Sequence, residues 1–244
     1  MGTTGCRDSI LLVGASGRTG RYVLRYLCAA SVPVIACVRS ESRLAAESSL
    51  ASAEIVLADV ERPHTLAPLM ERAAHVIYLA GVNRRGSLPG AWQLEVEGLS
   101  SCLELAMRAD LPGRWISVGY SGPEQRTGAT WAETRWRELK LAGEDVIAAS
   151  GVNYFVLRTG LITAAVSTEP RVSIAQDSAA ADAELPCNAL AFLLTGAALA
   201  GARNCSRVTV RLDPHGHNLQ STVQAFGRLR QDDSLLRTTT RMRH

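Results

Sequence analysis

Several features that would mark a particular class of protein are scarce or missing in this sequence of 244 residues. Aromatic residues make up only 5% of it, and a net charge of +3 is too small to indicate a nucleic-acid-binding protein. No run of about eighteen uncharged apolar residues, the length that a membrane span needs, occurs anywhere. The polar start lacks the charged region and long apolar stretch of a signal peptide. These absences predict a soluble, cytoplasmic protein with no membrane or nucleic-acid partner.

Cysteine and histidine are present, but their spacing gives no sign of a metal or nucleophile site. The six cysteines include no C-x-x-C pair, and most stand among apolar residues, where a free thiol behaves as a small hydrophobic side chain. His215 and His217 stand near the C-terminus without a cysteine or carboxylate in ligand register. No G-x-S-x-G motif occurs. We therefore expect reduced cysteines and no metal.

What the sequence does contain is a regular alternation of short apolar strands with helical segments. Strands are predicted at 10–13, 34–38, 55–58, 75–80, 114–118, 154–157 and 207–212. Helices are predicted at 18–30, 42–51, 66–72, 91–109, 130–150, 188–200 and 219–229. Such alternation is typical of parallel strands joined by crossover helices. We therefore predict a doubly wound α/β (Rossmann) fold, with a mostly parallel sheet of about seven strands and helices on both faces.

The same pattern predicts one principal domain. Residues 1–212 are expected to form the nucleotide-binding domain. Within it, residues 160–190 are predicted to cover the substrate cleft, because 163–185 show little periodicity. Residues 213–244 are expected to be a C-terminal extension, partly helical or disordered, with a basic stretch at 228–243. No pattern in the sequence predicts the oligomeric state, and a homodimer is one alternative.

A glycine-rich loop follows the first predicted strand directly. Its glycines have the spacing G-x-x-G-x-x-G, at Gly14, Gly17 and Gly20. The first allows a tight turn, the second lets backbone approach a pyrophosphate, and the third lets helix and strand pack closely. Because a helix N-terminus favours an anion, this loop predicts a dinucleotide site. The predicted contacts also include the residues between the glycines: Ser16, Arg18 and Thr19.

The residues that follow the later strands extend this prediction. An acidic residue after the second strand would bind the ribose 2′-hydroxyl of NAD, whereas an arginine accommodates the 2′-phosphate of NADP. Arg39 stands there, followed by the hydroxyl of Ser40, so NADP(H) is the predicted cofactor. The alternative is an ordinary exposed arginine. Further contacts are predicted after the third strand, near the adenine ring, and after the fourth, where the chain would pass close to the cofactor: Asp59, Val60, Ala80 and Gly81.

These residues resemble a known family, the atypical, NmrA-like or NAD(P)H-binding branch of the short-chain dehydrogenase/reductase superfamily. The matching segments are G-A-S-G-R-T-G at 14–20, V-R-S at 38–40, A-D-V at 58–60, K-L-A-G-E at 140–144 and S-G-V-N-Y-F-V-L-R-T-G at 150–160. The branch includes biliverdin, flavin and isoflavone-reductase-like enzymes. The resemblance implies a Rossmann fold, a nicotinamide cofactor and hydride transfer to a small acceptor.

The resemblance also implies where catalytic residues would lie, and two of them differ here. Reductases of the superfamily use a serine after the fifth strand and a proton-donating tyrosine four residues before a lysine that holds the nicotinamide ribose. Lys140 matches the lysine, but Trp136 replaces the tyrosine and Gly119 replaces the serine. Tyr120 and Ser121 follow directly and are the candidates for hydroxyls near the substrate.

Three residues outside that set also receive predicted roles. Thr159 replaces the family's usual proline after the sixth strand and is a candidate hydrogen-bond partner of the nicotinamide carboxamide. Glu144 is expected to pair with an arginine. Asn188 is expected to cap the helix that follows it.

The missing serine and tyrosine leave three functions open. Orientation alone can supply large effective molarity, so we expect an NADP(H)-dependent oxidoreductase acting on a small apolar or aromatic acceptor. One alternative is a sensor or partner-binding protein that binds NADP(H) without turnover. The other is a non-redox isomerase, cyclase or lyase. Its acid and base groups would come from the cover segment and the residues beyond it: Asp177, Asp182, Glu184, His215 and His217.

Overall fold

The computed structural model describes residues 7–40, 53–82, 90–121, 130–176, 184–200 and 206–226. The strands in these ranges are β1 (Ser9–Val13), β2 (Val34–Val38), β3 (Ala53–Leu57), β4 (Ala73–Tyr78), β5 (Trp115–Tyr120), β6 (Tyr154–Thr159), β7 (Ile162–Thr163), β8 (Arg171–Gln176), β9 (Leu185–Pro186), β10 (Ser206–Leu212) and β11 (His217–Asn218). The helices are α1 (Arg18–Ala29), α2 (Ala67–Met70), α3 (Gly98–Arg108), α4 (Trp131–Ala149), α5 (Cys187–Leu199) and α6 (Leu219–Phe226). A 3₁₀ turn spans Pro63–Thr65, and a π-helical turn spans Gln93–Glu97.

Within the described residues, nine strands form the main sheet, in the order β11-β8-β10-β6-β5-β4-β1-β2-β3. The strands from β10 to β3 in this order are parallel to their neighbours, and the predicted doubly wound α/β class is confirmed. The predicted number of about seven strands is wrong, because β8 and β11 extend the sheet in antiparallel pairing. β8 lies in the segment whose sequence shows little periodicity, and no strand is predicted there. The apolar pattern of this strand is weak, because Val172 is the only side chain among 171–175 that is buried.

The central strands are buried on both faces, which explains their continuous apolar sequences. One face packs against α1, α5 and α6, where Leu12, Leu24 and Leu190 belong to a single cluster. The other packs against α2, α3 and α4, where Leu11 and Leu103 belong to the second cluster. Alternate residues of β1 therefore face opposite layers, as the two-residue period of a strand requires.

Most of the helices predicted within the described residues are present, with two differences. The helix predicted at 66–72 is a 3₁₀ turn followed by the single-turn α2, which carries a proline in its first turn. The helix predicted at 91–109 contains the π-helical turn at Gln93–Glu97. The helix predicted at 42–51 lies outside the described residues. In α4, Thr130 and Glu133 form a capping box, which fixes where this helix begins.

Part of the predicted C-terminal extension packs on this core. Phe226 of α6 is buried against Phe155 of β6, with ring centroids 4.9 Å apart. The basic stretch at 228–243 lies outside the described residues. Four cysteines in the described ranges are free, and burial raises the pKa of both Cys37 and Cys102 to about 12. In the same ranges, no helix is both long enough and apolar enough to cross a membrane.

Candidate functional site

The candidate site lies at the carboxyl ends of β1 to β6. Since these strands are parallel, their carboxyl ends share one edge of the sheet. β1 lies between β2 and β4 at the switch point, where the order of connections reverses. Ligands of doubly wound proteins bind at such a point. The fold therefore brings the following predicted site residues to one edge: Gly14, Ser16, Gly17, Arg18, Thr19, Gly20, Arg39, Ser40, Asp59, Val60, Ala80, Gly81, Tyr120, Ser121 and Thr159.

The glycine loop is packed so closely that side chains would not fit. Gly14 has φ +88°, and a Cβ there would lie 2.8 Å from the carbonyl carbon of Leu79 and 2.9 Å from the nitrogen of Ala80. A Cβ on Gly20 would overlap the carbonyl oxygen of Gly14. The Gly17 N–H donates to that same oxygen at 3.0 Å. The loop thus brings the start of α1 directly onto the backbone after β1 and β4.

The start of α1 has the properties of an anion site. Gly17 is its N-cap residue, so no side chain caps the first N–H groups of the helix. No acidic residue stands in the first turn. Arg18 is exposed there, and Arg39 is exposed beyond the end of β2. The helix dipole and both guanidinium groups favour a phosphate at this end of the sheet.

The residues after β3 are used partly by the protein itself. The Asp59 carboxylate accepts the backbone N–H of Glu61 at 3.2 Å. The backbone N–H of Asp59 donates to the Thr65 hydroxyl at 3.0 Å. Val60 is buried in the core cluster on the α3 face. These contacts fix the turn that follows β3.

One face of α4 lies at the part of this edge formed by the ends of β4, β5 and β6. Trp136, Lys140 and Glu144 stand four residues apart and therefore share this face. The Trp136 indole N–H donates to the Val82 carbonyl at 3.4 Å, and its ring meets Tyr120 edge-on with centroids 5.0 Å apart. The Lys140 ammonium lies 5.7 Å from the centre of the Trp136 ring. The lysine implied by the family resemblance thus lies beside the tryptophan that replaces the tyrosine.

Glu95 is a buried carboxylate that the sequence interpretation missed. Its Oε1 accepts Lys140 Nζ at 2.6 Å and the Val82 N–H at 2.7 Å. A signal was present in the sequence, because Glu95 precedes Leu99, Cys102 and Ala106 at helical spacing, and all three are buried. An acidic residue on such an apolar stripe indicates a partnered carboxylate.

Glu144 explains the glycine at the position implied for the serine. Its Oε1 accepts the Tyr120 N–H at 3.0 Å and its Oε2 accepts Arg158 Nε at 2.6 Å, so the predicted pairing with an arginine is confirmed. A Cβ on Gly119 would lie 2.7 Å from Glu144 Cδ. The Glu144 carboxylate therefore occupies the space that a serine side chain would need.

Two hydroxyl groups at the ends of β5 and β6 are buried. In the described part of the chain neither Ser121 Oγ nor Thr159 Oγ1 has a hydrogen-bond partner. The strand ends are held together, since the Ser121 N–H donates to the Thr159 carbonyl at 3.2 Å. Buried hydroxyls are normally paired, so these two are suited to a polar ligand at this edge.

The cover segment is anchored by a residue whose predicted role was wrong. Pro186, not Asn188, is the N-cap residue of α5. The Asn188 side chain instead donates to the Ser167 carbonyl at 2.8 Å and accepts the Ser167 N–H at 3.3 Å. This paired contact ties the chain beyond β7 to α5.

The acid and base candidates are distributed over different places. Glu184 is exposed and directly precedes β9, which pairs with β7 just beyond β6. His215 and His217 are exposed near β11, the outermost strand on the β6 side. Asp177 and Asp182 lie outside the described residues. No group of three or more potential metal ligands occurs within the described ranges.

A doubly wound sheet with a close-packed glycine loop at its switch point defines a dinucleotide-binding protein. The sequence matches the model of the NAD(P)H-binding family over residues 14–197, and the chain belongs to that family. The match begins at the first glycine of the loop and extends into α5. The resemblance to the NAD(P)H-binding branch is thereby confirmed.

Solved structures support the fold assignment. A Bacillus halodurans protein described as an NAD-dependent epimerase/dehydratase is 19% identical, with a TM-score of 0.76 over 89% of this chain and 99% of that one. The anaerobillin reductase ChuY from Escherichia coli O157:H7 is 17% identical, with a TM-score of 0.69 over 84% and 98%. A Veillonella parvula short-chain dehydrogenase/reductase in complex with NADP is 14% identical, with a TM-score of 0.68 over 86% and 96%. A search of curated proteins found no match.

Proposed function

We propose that this protein is an NADP(H)-dependent oxidoreductase of the atypical short-chain type, which transfers hydride to a small organic acceptor. The observation that carries the proposal is the close-packed glycine loop at the switch point, with Arg39 exposed just beyond the neighbouring strand. Membership of the NAD(P)H-binding family and similarity to reductases support a redox role.

In this proposal the adenosine half of the cofactor lies over β1 to β3. The loop glycines let the pyrophosphate approach the backbone, and the N–H groups in the first turn of α1 hold it. Arg39 pairs with the 2′-phosphate, assisted by Arg18 and Ser40. A guanidinium suits this role because its planar set of donors matches phosphate oxygens.

The nicotinamide half lies over β4 to β6. When bound, the reduced cofactor supplies a hydride. Lys140 holds the nicotinamide ribose, and the buried hydroxyls of Ser121 and Thr159 hydrogen-bond the carboxamide or the acceptor. Tyr120 is the proposed proton donor, because it is half-buried at the end of β5 and its ring is fixed against Trp136. The two aromatic rings favour a small apolar or aromatic acceptor.

One observation favours a second function, a sensor that binds NADP(H) without turning it over. Trp136 uses its only polar hydrogen on the Val82 carbonyl, and the Glu144 carboxylate fills the space beside Gly119. Neither position of the usual catalytic pair therefore offers a proton to a substrate. For the non-redox alternative, Glu184 is the proposed acid that lies, among the described residues, close to the end of β6.

The first experiment tests cofactor binding and its preference. Titration monitored by fluorescence should show NADPH binding at or below tens of micromolar, with weaker binding of NADH. Arg39→Asp should weaken NADPH binding by about 100-fold and change NADH binding little, because it replaces a phosphate-pairing cation with an anion. Arg108→Asp, an equal charge change at the exposed end of α3, should leave both affinities unchanged. Equal loss of both cofactors in Arg39→Asp would reject its assigned role.

The second experiment separates the oxidoreductase from the sensor. Oxidation of NADPH is followed by its absorbance with a panel of quinones, flavins and small carbonyl compounds. Turnover with any acceptor that falls strongly in Tyr120→Phe supports the proposed proton donor. Tight NADPH binding with no turnover on the whole panel favours the sensor, and product formation without any nicotinamide favours the non-redox alternative.

A further inference from the structure

We propose that Glu95 is a positioning residue, which holds the Lys140 ammonium at the place where the nicotinamide ribose meets the protein. The inference rests on the proposed NADP(H) function and adds a residue that belongs neither to the glycine loop nor to the family's catalytic set. It concerns how the lysine is held.

The geometry around Glu95 links three separate elements through one oxygen atom. Oε1 accepts Lys140 Nζ from α4 at 2.6 Å and the Val82 N–H, just beyond β4, at 2.7 Å. Glu95 itself is only 6% exposed. Hydrogen bonds to a charged group are stronger than neutral ones, and low exposure limits competition from water. Glu95 therefore fixes both the side chain of the lysine and the chain that follows β4.

The backbone of the helices brings this carboxylate into position. Glu95 stands in the middle of the π-helical turn, a feature that is rare and often found at functional sites. Gly143 lets α4 approach this turn, because a Cβ there would lie 3.0 Å from the Glu95 carbonyl oxygen and 3.3 Å from Leu99 Cδ2. Lys140 precedes Gly143 by about one helical turn and so reaches the Glu95 carboxylate.

The ion pair faces the ligand edge of the sheet. A Cβ on Gly81 would lie 2.7 Å from Glu95 Oε1 and 3.1 Å from Lys140 Nζ, and Gly81 is exposed. The pair thus lies directly beneath the backbone where the chain is expected to pass the cofactor. Glycine at this position lets the pair lie against that backbone.

Trp136 completes the arrangement. Its N–H holds the Val82 carbonyl while Glu95 holds the Val82 N–H, and its ring lies beside the Lys140 ammonium. A lysine carries a long flexible side chain, and ordering it before the ligand arrives reduces the entropy lost on binding. The Glu95 carboxylate and the Trp136 ring together give Lys140 one fixed position.

The test compares two ligands that differ in the nicotinamide half. Glu95→Gln keeps an acceptor for the Val82 N–H but removes the charge that holds Lys140. It should weaken NADPH binding about tenfold and leave the affinity for adenosine 2′,5′-bisphosphate, which lacks the nicotinamide ribose, unchanged. Glu138→Gln removes an exposed carboxylate on the same helix, paired with Arg135, and should change neither affinity.

A double-mutant cycle shows whether Glu95 acts through Lys140. Lys140→Met should weaken NADPH binding, and adding Glu95→Gln to it should weaken binding no further. The double variant also removes the ion pair as a unit, so it keeps the test available where Glu95→Gln alone does not fold. NADPH affinity in Glu95→Gln equal to wild type, or equal losses for both ligands, would overturn the positioning role. Wild-type protein that binds neither ligand would instead reject the proposed NADP(H) function.

Discussion

The two halves of the carboxyl edge are built in different ways. Over β1 to β3, the candidate phosphate site is formed by backbone, with Gly14, Gly17 and Gly20 bringing α1 and the strand ends together. Over β4 to β6, the site is formed by side chains from separate elements, and these include the ion pairs Lys140–Glu95 and Glu144–Arg158. The first half has the family's local pattern, whereas the second has Gly119 and Trp136 where catalytic groups would stand.

The two halves should respond differently to single substitutions. A backbone site depends on the absence of side chains, so any added atom interferes with it. A site of coupled side chains depends on each partner, because removal of one leaves the other buried without its counter-charge. The two halves should therefore fail in different ways when single residues are changed.

The largest effect is expected from Glu144→Ala in the side-chain half. This change leaves the Arg158 guanidinium without its carboxylate and the Tyr120 N–H without its acceptor. Loss of one partner of a buried ion pair typically costs about 3–5 kcal/mol of the free energy of unfolding, which urea denaturation measures. Glu138→Ala, on the same helix and in an exposed pair with Arg135, should lower it by at most about 1 kcal/mol. Similar small losses for both variants would remove the distinction between the halves.

A smaller effect on stability, with complete loss of binding, is expected from Gly20→Ala in the backbone half. The added Cβ would overlap the Gly14 carbonyl oxygen, so the loop must move away from α1. Crowding of this kind costs about 1–3 kcal/mol, and the shifted loop should no longer bind NADPH. Gly90→Ala is the control, because a Cβ at Gly90 meets nothing within 4 Å, although its φ is +79°. It should lose about 1–2 kcal/mol of stability and keep its NADPH affinity. Retained binding in Gly20→Ala would show that close packing of this loop is not required.

The contrast between the halves also explains which parts of the fold and the site could be predicted from the sequence. The glycine loop occupies consecutive residues after an apolar strand, and the alternation of strands and helices predicts the parallel sheet on which it stands. Glu95 and Lys140 are 45 residues apart in the chain, and helical periodicity shows only that Glu95 points inward. Its partner depends on how α4 packs against the π-helical turn. Such tertiary contacts cannot be inferred from local patterns.

Two other differences have local causes. β8 and β11 lie at the edge of the sheet, where few side chains are buried and the alternation of apolar residues is weak. Asn188 stands at the start of the predicted apolar helix, a typical place for a cap residue, but α5 begins at Cys187 and Pro186 is its N-cap residue. The Asn188 amide is therefore free to pair with the backbone of Ser167.

The smallest effect is expected outside both halves, at the start of β4. His75 Nδ1 accepts the Arg114 N–H at 3.0 Å, and burial together with the nearby Arg114 cation lowers the pKa of His75 below its usual 6.5. Because this pKa is lower in the folded chain, the unfolded chain binds more protons in acid. The stability contributed by His75 is complete above about pH 6.5 and is lost as the pH falls towards the folded pKa, with a slope of at most about 1.4 kcal/mol per pH unit.

Urea denaturation between pH 5.5 and 7.5 measures the free energy of unfolding of wild type and of His75→Gln. The difference between them gives the contribution of His75, since the other titrating groups are common to both. The wild type should lose more stability than the variant towards pH 5.5. Saturating NADPH should raise the stability of both proteins at every pH but leave their difference unchanged, because His75 lies at the end of β4 opposite the carboxyl edge. A difference that changes when NADPH is added would show that the two ends of β4 are coupled. The candidate site would then extend beyond the two halves that meet at the carboxyl edge.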